Sequence, residues 1–188
     1  MTVTTLDRTT ALVVVDLQQG IVAMLPAEQA ADIVRRAGRL ADAFRAAGLP
    51  VVLVNVAGMA PGRTDSQMRL ALPLPDGWTD LASGLGHAQT DITVTKRSWG
   101  AFSTTDLATR LRDLGVTQIV LAGISTSIGV ESTARQAYEV GLNVTLAVDA
   151  MADRVPTAHA NSVGTIFPRL GEVGTTDDIL TLLAARGA

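Results

Sequence analysis

Cysteine is absent from the 188 residues of the sequence, and histidine occurs only at positions 87 and 159. The first absence excludes disulfide bonds, thiolate metal ligands and a cysteine nucleophile. Neither His87 nor His159 has a second histidine at the spacing of a metal-binding motif. The glycine motifs of phosphate-binding and dinucleotide-binding loops are missing too. We therefore predict a protein that works without a metal ion or any other cofactor.

Strong charge and long hydrophobic runs are also missing. The formal net charge is -3 and there are no basic clusters, which argues against nucleic acid as a partner. No apolar run is long enough to cross a membrane, and the chain does not open with the basic and apolar segments of a signal peptide. We expect a cytoplasmic protein with no membrane partner that acts on a small molecule.

The residues that are present predict one domain over residues 1–188, because a hydrophobic content of 47% is enough for a substantial core. Short apolar segments rich in Val, Ile and Leu alternate with helical patterns. Strands are predicted over 11–16, 51–56, 92–95, 118–123, 143–150 and about 172–174, and helices over 33–44, 107–114, 129–140, 156–168 and from about 176. This alternation predicts an α/β fold with a parallel sheet that helices cover on both faces.

One long segment, residues 57–91, departs from this pattern because it is rich in proline and glycine and lacks periodicity. A loop of this length in a compact domain favours a lid or a binding segment, and a surface insertion or an oligomer contact is the alternative. Arg63 and Arg69 are suited to binding a substrate carboxylate, or they only solvate the segment. Trp78 is suited to contact with a ring-shaped ligand or to packing in the core or at an interface. The sequence leaves these alternatives open.

Polar residues follow the predicted strands at their carboxyl ends, where open parallel sheets bind ligands. Asp16 ends the first strand and Lys96 follows the third, so we expect the two to meet, as catalytic groups or as a structural ion pair. Gln18 suits a hydrogen bond to substrate or a plain loop role, and Asp149 suits a cap or a loop anchor. This edge of the sheet is the predicted site.

The fourth strand leads through a short turn with hydroxyl side chains into a helix that begins near Gly129. Backbone N–H groups at a helix N-terminus are free, and they favour an anion or a developing oxyanion. Gly129 would let a ligand approach the backbone closely. The alternative is that small residues here only let the helix pack tightly on the sheet.

Three segments together resemble the isochorismatase-like hydrolases: VVVDLQ (13–18), TKRSWGAF (95–102) and GISTSIGVESTARQAYEVGLNVTLAVDAMAD (123–153). They stand in the family's order, and the likeness extends across nearly the whole chain. The resemblance implies a three-layer α/β/α sandwich with a six-stranded, mainly parallel, Rossmann-like sheet. It also implies assembly as a homodimer or homotetramer.

Most members of that family are amidases with an Asp–Lys–Cys triad. Asp16 matches the Asp and Lys96 the Lys, but the Cys position is occupied by Gly129, so thiolate attack on an amide is excluded. True isochorismatases share this Gly and cleave a vinyl ether to pyruvate and a dihydroxy-dihydrobenzoate without a covalent intermediate. The resemblance implies that Asp16 is the general acid, with a pKa that burial would raise and Lys96 would lower.

The resemblance also implies which residues surround the substrate: Gln18, Trp99, Phe102, Ile124, Ser125 and Ile128. Backbone N–H groups of the turn would form an oxyanion hole after a cis peptide bond between Ile124 and Ser125. Core or interface packing is the alternative for the aromatic residues, above all for Phe102. Two other functions stay open: a catalytically silent protein that binds a small anion, and a hydrolase of another small amide.

Overall fold

The computed structural model describes residues 3–65 and 73–186, which form a six-stranded sheet between two layers of helices. The strands are β1 (Thr10–Val15), β2 (Val51–Val56), β3 (Ile92–Lys96), β4 (Gln118–Ile124), β5 (Asn143–Ala152) and β6 (Glu172–Gly174). Their order is β3-β2-β1-β4-β5-β6, and each neighbouring pair is parallel. The predicted α/β sandwich is confirmed, with a sheet that is parallel throughout.

The central strand, β1, shows why the apolar runs are nearly continuous. Val13 and Val15 pack on one face of the sheet, while Leu12 and Val14 pack on the other. All of β1 is buried. Because both faces are covered, the strand needs apolar side chains at successive positions rather than at alternate ones.

The helices are α1 (Gln19–Val22), α2 (Ala27–Ala46), α3 (Leu107–Asp113), α4 (Glu131–Glu139), α5 (Pro156–Asn161) and α6 (Thr176–Ala185). On one face, α2 and α6 contribute Phe44 and Ile179 to a core cluster. On the other face, α3 and α4 contribute Leu111 and Ala134 to a second cluster. Within the described ranges, no helix is both long and apolar enough to span a bilayer.

Two boundaries at the predicted site differ from expectation. Asp16 lies just outside β1, because its backbone is in the left-handed region with a φ of 55°. The helix predicted over 129–140 is preceded by a π-helical turn, Thr126–Val130, so α4 begins at Glu131. Both features reshape the chain at the carboxyl edge of the sheet.

The long segment after β2 is partly ordered against the body of the protein. Leu81 forms an antiparallel bridge with Gln18, and a single 3-10 turn covers Ser83–Leu85. Arg63 is exposed, whereas Arg69 lies outside the described residues. These contacts position the segment beside the first strand, close to the predicted site.

The strand order reverses between β1 and β4, and the reversal determines where a ligand can enter. The crossover after β1 runs towards β2, and the chain later returns to the other side of β1 as β4. The carboxyl ends of these two central strands therefore border a crevice. Asp16 follows one of them and Ser125 the other.

Candidate active site

Asp16 and Lys96 meet at this crevice, as predicted. The N–H of Asp16 donates to Val54 O at 2.8 Å. Lys96 Nζ donates to Asp16 Oδ2 at 2.7 Å and to the Ser98 carbonyl at 3.1 Å. The exposed fraction is only 5% for Asp16 and 1% for Lys96, so the ion pair is buried.

The Asp16 carboxyl group has a pKa well above that of an ordinary aspartate. Burial raises its pKa to about 6, against the opposing charge and hydrogen bond of Lys96. Its second oxygen, Oδ1, is buried and has no hydrogen-bond partner among the described residues. A carboxyl with this pKa holds a proton in a fraction of the molecules at neutral pH, and Oδ1 is the oxygen free to carry it.

Gly129 lies beside the Asp16 carboxylate of this ion pair. It belongs to the β4–α4 turn, residues 125–130, and is itself buried. A β-carbon built on Gly129 would lie 3.0 Å from Asp16 Oδ2 and 3.1 Å from Val15 Cγ1. A nucleophilic side chain at position 129 would therefore reach the Asp16 carboxylate, and in this chain hydrogen takes its place.

The β4–α4 turn presents a backbone amide that has no partner among the described residues. The peptide bond between Ile124 and Ser125 is cis, as predicted. In the part of the chain that the structure describes, the Ser125 N–H makes no hydrogen bond, while its carbonyl accepts from the N–H groups of Ile128 and Val130. The Ser125 N–H is thus a candidate donor to a substrate oxygen.

The same turn is tied to the segment that follows β5. Asp153 Oδ2 accepts from the Ser127 N–H at 2.8 Å and from its hydroxyl at 2.7 Å. Thr126 Oγ1 and His159 Nδ1 lie 2.8 Å apart. Since the Ser127 amide is occupied by Asp153, it does not compete with Ser125 for an anion.

Gln18 is placed differently from the predicted substrate contact. Its side chain is fully buried. Its Oε1 accepts from the Val56 N–H at 2.6 Å, and its Nε2 donates to the carbonyls of Val56 and Trp78, both at 3.1 Å. We correct the expectation of a direct substrate contact, because every one of these amide atoms already has a backbone partner.

The apolar residues of the predicted pocket differ in their exposure. Trp99 is 57% exposed and Ile128 is 39% exposed, and both belong to loops at the site. Phe102 packs against the core on the α3 and α4 side, and Ile124 is buried in the core under α2. The Ile124 side chain therefore belongs to the core, whereas Phe102 is only partly buried, so its contact with a substrate stays a prediction.

Trp78 and Asp149 have packing and anchoring roles. A β-carbon on Gly20 would overlap the Trp78 indole, which shows how closely this ring packs on the backbone after β1. Asp149 Oδ1 accepts from the N–H of Thr176 at 2.6 Å and from its hydroxyl at 2.9 Å, and the other oxygen pairs with Arg36. The prediction of a cap or loop anchor at Asp149 is confirmed.

Two contributors to the site were missed in the sequence. The Ser98 carbonyl holds Lys96, and a backbone acceptor carries no residue-type signal. Thr133 donates to the Gly129 carbonyl at 2.7 Å. Its position four residues after Gly129 in a predicted helix was the available signal, since a threonine hydroxyl can reach the carbonyl one turn back.

Two surface cavities of the described chain lie elsewhere. One, of about 440 Å³, is bordered by Asp7 and Tyr138, and the other, of about 910 Å³, by Leu49 and Leu183. Neither cavity is bordered by Asp16 or Lys96, so the buried ion pair and the unpartnered Asp16 Oδ1 lie apart from both. No cluster of three or more His, Cys, Asp or Glu side chains suited to a metal ion occurs in residues 3–65 and 73–186.

Comparison with known proteins agrees with this geometry. Residues 10–178 match the model of the isochorismatase domain. The chain belongs to the isochorismatase family. As a family member, it is a hydrolase with the family's α/β fold.

Relatives with near-complete coverage support the assignment. The chain is 44% identical to the uncharacterized isochorismatase family protein YecD of Escherichia coli O157:H7, covering 94% of this chain and 97% of that one. The solved structure of an isochorismatase family protein from Burkholderia thailandensis has a TM-score of 0.90 and 42% identity, over 96% and 98% of the two chains. A probable isochorismatase of Pseudomonas chlororaphis is 26% identical, over 90% and 84%.

Proposed function

We propose that this isochorismatase-family protein cleaves a small vinyl ether such as isochorismate, releasing pyruvate and a dihydroxy-dihydrobenzoate. The observation that carries the proposal is the position of Gly129 beside the buried Asp16, where a β-carbon would lie 3.0 Å from Oδ2. The position suited to a nucleophile holds only hydrogen, and beside it lies a carboxyl whose raised pKa suits proton donation. The name of the Pseudomonas chlororaphis relative indicates the same substrate.

Asp16 is the general acid in this proposal. Its Oδ1 proton passes to the terminal methylene carbon of the enol ether, so the carbon–carbon double bond is lost and a positive charge develops on the ether carbon. With a pKa of about 6, roughly a tenth of the molecules hold this proton at pH 7. A pKa near the working pH keeps part of Asp16 protonated, and it also leaves the protonated form acidic enough to protonate carbon.

Hydrolysis then follows without a covalent bond to the protein. Water adds to the oxocarbenium carbon and loses a proton to the Asp16 carboxylate, which regenerates the acid. The resulting hemiketal collapses, so the original ether bond breaks, the ketone of pyruvate forms and the alcohol leaves. Substrate and one water are consumed, and no nucleophile is required at position 129.

Lys96 and the surrounding loops have supporting roles. The Lys96 ammonium stabilises the Asp16 carboxylate left after proton transfer, because it donates to Oδ2. The Ser125 N–H is available to a carboxylate oxygen of the substrate, and Trp99 and Ile128 offer exposed apolar surface to a ring. The site thus combines a proton donor with a small anion-binding and ring-binding surface.

Pyruvate release from isochorismate by the purified protein tests the proposal, with Asp16→Asn beside the wild type. The variant keeps the shape of the side chain and removes the acid, so we expect turnover to fall by ~10²–10⁴-fold. Asp91→Asn is the matched control, because Asp91 is also a buried carboxylate in an ion pair, with Arg45, but lies away from the site. It should keep most of its turnover even if its stability falls.

Three outcomes separate the alternatives. Loss of turnover in Asp16→Asn alone supports the general acid. A wild type that binds isochorismate but releases no pyruvate, with affinity retained in Asp16→Asn, indicates a silent binding protein. Release of ammonia from small amides, with no pyruvate from isochorismate, contradicts the vinyl-ether proposal in favour of an amide hydrolase.

A further inference from the structure

A buried threonine joins two loops of the site that come from different strands. Thr133 lies on the first turn of α4 and is fully buried. Its hydroxyl donates to the Gly129 carbonyl at 2.7 Å and accepts from the Ala101 N–H at 3.1 Å. The first bond is the ordinary reach of a helical threonine to the carbonyl one turn back. The second is not required by the helix, because Ala101 is 32 residues distant and belongs to the β3–α3 loop, residues 97–106.

The next turn of α4 continues the attachment. Gln136 Oε1 accepts from the Phe102 N–H at 3.0 Å, and its Nε2 donates to the Ser103 hydroxyl. The β3–α3 loop comes so close here that a β-carbon on Gly100 would overlap the Gln136 side-chain amide. Thr133 and Gln136 thus bind three consecutive residues of the loop, 101–103, from one face of the helix.

The first residues of the attached loop include a hydrogen-bond acceptor for Lys96 and an exposed aromatic side chain. Its second residue, Ser98, accepts from Lys96 Nζ through its carbonyl. Its third residue is Trp99, the most exposed aromatic side chain at the site. Only Gly100 separates Trp99 from the bonded residues, so the attachment limits where the indole and the Ser98 carbonyl can lie relative to Gly129.

We propose that Thr133 and Gln136 are positioning residues, which hold the β3–α3 loop in register with Gly129 and so set the placement of Trp99 and of the Ser98 carbonyl beside the substrate. Neither side chain touches the reacting atoms in this arrangement. The consequence for catalysis rests on the proposed function, whereas the consequence for the position of Trp99 does not.

Fluorine NMR of protein that contains 5-fluorotryptophan tests the placement directly, because the chain has only two tryptophans. Trp78→Phe identifies the Trp99 resonance by elimination. Thr133→Val removes the hydroxyl and keeps the shape, so we expect the Trp99 resonance to shift or broaden while that of Trp78 stays in place. Thr133→Ser restores the hydroxyl and should return the Trp99 resonance to its wild-type position.

The matched control is Thr145→Val. Thr145 is also fully buried, and its hydroxyl accepts from Gln118 Nε2 at 3.1 Å at the opposite edge of the sheet. Its loss should lower stability but leave the Trp99 resonance unchanged. An unchanged Trp99 resonance in Thr133→Val, or an equal change in Thr145→Val, would overturn the proposal. If Thr133→Val does not fold, Gln136→Met decides in the same way, since it removes the acceptor of the Phe102 N–H.

Kinetics separate this proposal from the proposed function. With isochorismate as substrate, Thr133→Val should lower kcat about tenfold, because a small misplacement of groups around the reacting atoms is costly. Thr133→Ser should recover most of the loss. Failure of the wild type to release pyruvate would count against the proposed function, while the fluorine spectra would still decide on the positioning role.

Discussion

Gly129 and the Asp16 carboxylate are so close that a β-carbon on Gly129 would lie 3.0 Å from Asp16 Oδ2. Asp16 itself has a left-handed backbone with a φ of 55°, and Lys96 Nζ donates to the same oxygen at 2.7 Å. Because Gly129 has no side chain, the Asp16 carboxylate can occupy this position without a steric clash. Any side chain at 129 has to share that space with the proposed acid.

The first prediction concerns Gly129→Ala. The added methyl group meets Asp16 Oδ2 and Val15 Cγ1, which have to move by a few tenths of an ångström. We expect turnover of isochorismate to fall about tenfold, because the acid is displaced from its working position. Crowding in a packed site costs about 1–3 kcal/mol, and an alanine in a helical turn regains about 1 kcal/mol, so the free energy of unfolding should fall by about 0–2 kcal/mol.

Gly164→Ala is the control for this variant. Gly164 also lies in a π-helical turn, Ser162–Ile166, but a β-carbon there would meet no atom within 4 Å. It should gain a little stability and keep full turnover. Equal turnover in the two variants would show that the space over Asp16 is not needed for catalysis.

The second prediction is the direction of the pH dependence. Because burial raises the pKa of Asp16 to about 6, a general acid at this position is lost as the pH rises through that value. The rate at saturating isochorismate should be level below about pH 6 and fall tenfold for each pH unit above it. A rate that instead rises through this range would assign Asp16 as a base and contradict the proposed step.

The same pKa gives a sign for stability. The folded-state pKa lies above the ordinary value of an aspartate, so the protonated form is favoured by folding. The contribution of Asp16 to the free energy of unfolding is therefore fully present at acidic pH, below the pKa of the unfolded chain. It is lost as the pH rises through about 6.

The third prediction isolates the effect of Lys96. Its charge and its hydrogen bond both lower the pKa of Asp16, so Lys96→Met should raise that pKa further above 6. Carbon NMR of the aspartate carboxyl groups measures the change, with the Asp16 resonance identified by its absence from Asp16→Asn. Lys96→Arg keeps the positive charge and should leave the pKa nearer to the wild-type value. An unchanged pKa in Lys96→Met would mean that the ion pair does not control the protonation of Asp16.

The sheet and the meeting of Asp16 with Lys96 were predictable from the sequence for a common physical reason. Strands buried on both faces need continuous apolar runs, and LVVV (12–15) and VVLV (51–54) are such runs. The carboxyl ends of parallel strands lie at one edge of the sheet, so Asp16 after β1 and Lys96 at the end of β3 converge there. Local sequence pattern was therefore enough to predict the strands and the pairing of Asp16 with Lys96.

The roles of Gln18 and Thr133 were not predictable in that way. The partners of Gln18 lie 38 and 60 residues further along the chain, and nothing in the sequence around position 18 shows that its amide will be buried. Ala101 meets Thr133 only because the β3–α3 loop folds back onto α4. Hydrogen bonds between segments that are remote in sequence depend on the assembled fold.

The last prediction tests the corrected role of Gln18. Gln18→Leu has nearly the same volume but leaves the Val56 N–H and two carbonyls, those of Val56 and Trp78, without their partner. Each buried backbone group that loses its hydrogen bond costs about 1–3 kcal/mol, so denaturant unfolding should show a clear loss of stability. Gln19→Leu is the matched control, because the neighbouring glutamine is exposed and its replacement should change stability by no more than about 0.5 kcal/mol.

A substrate-binding glutamine would behave in the opposite way: Gln18→Leu would raise the KM for isochorismate and leave the free energy of unfolding unchanged. We expect the loss of stability, because a fully buried amide whose partners are backbone groups of β2 and of the segment around Trp78 serves to hold that segment against the sheet.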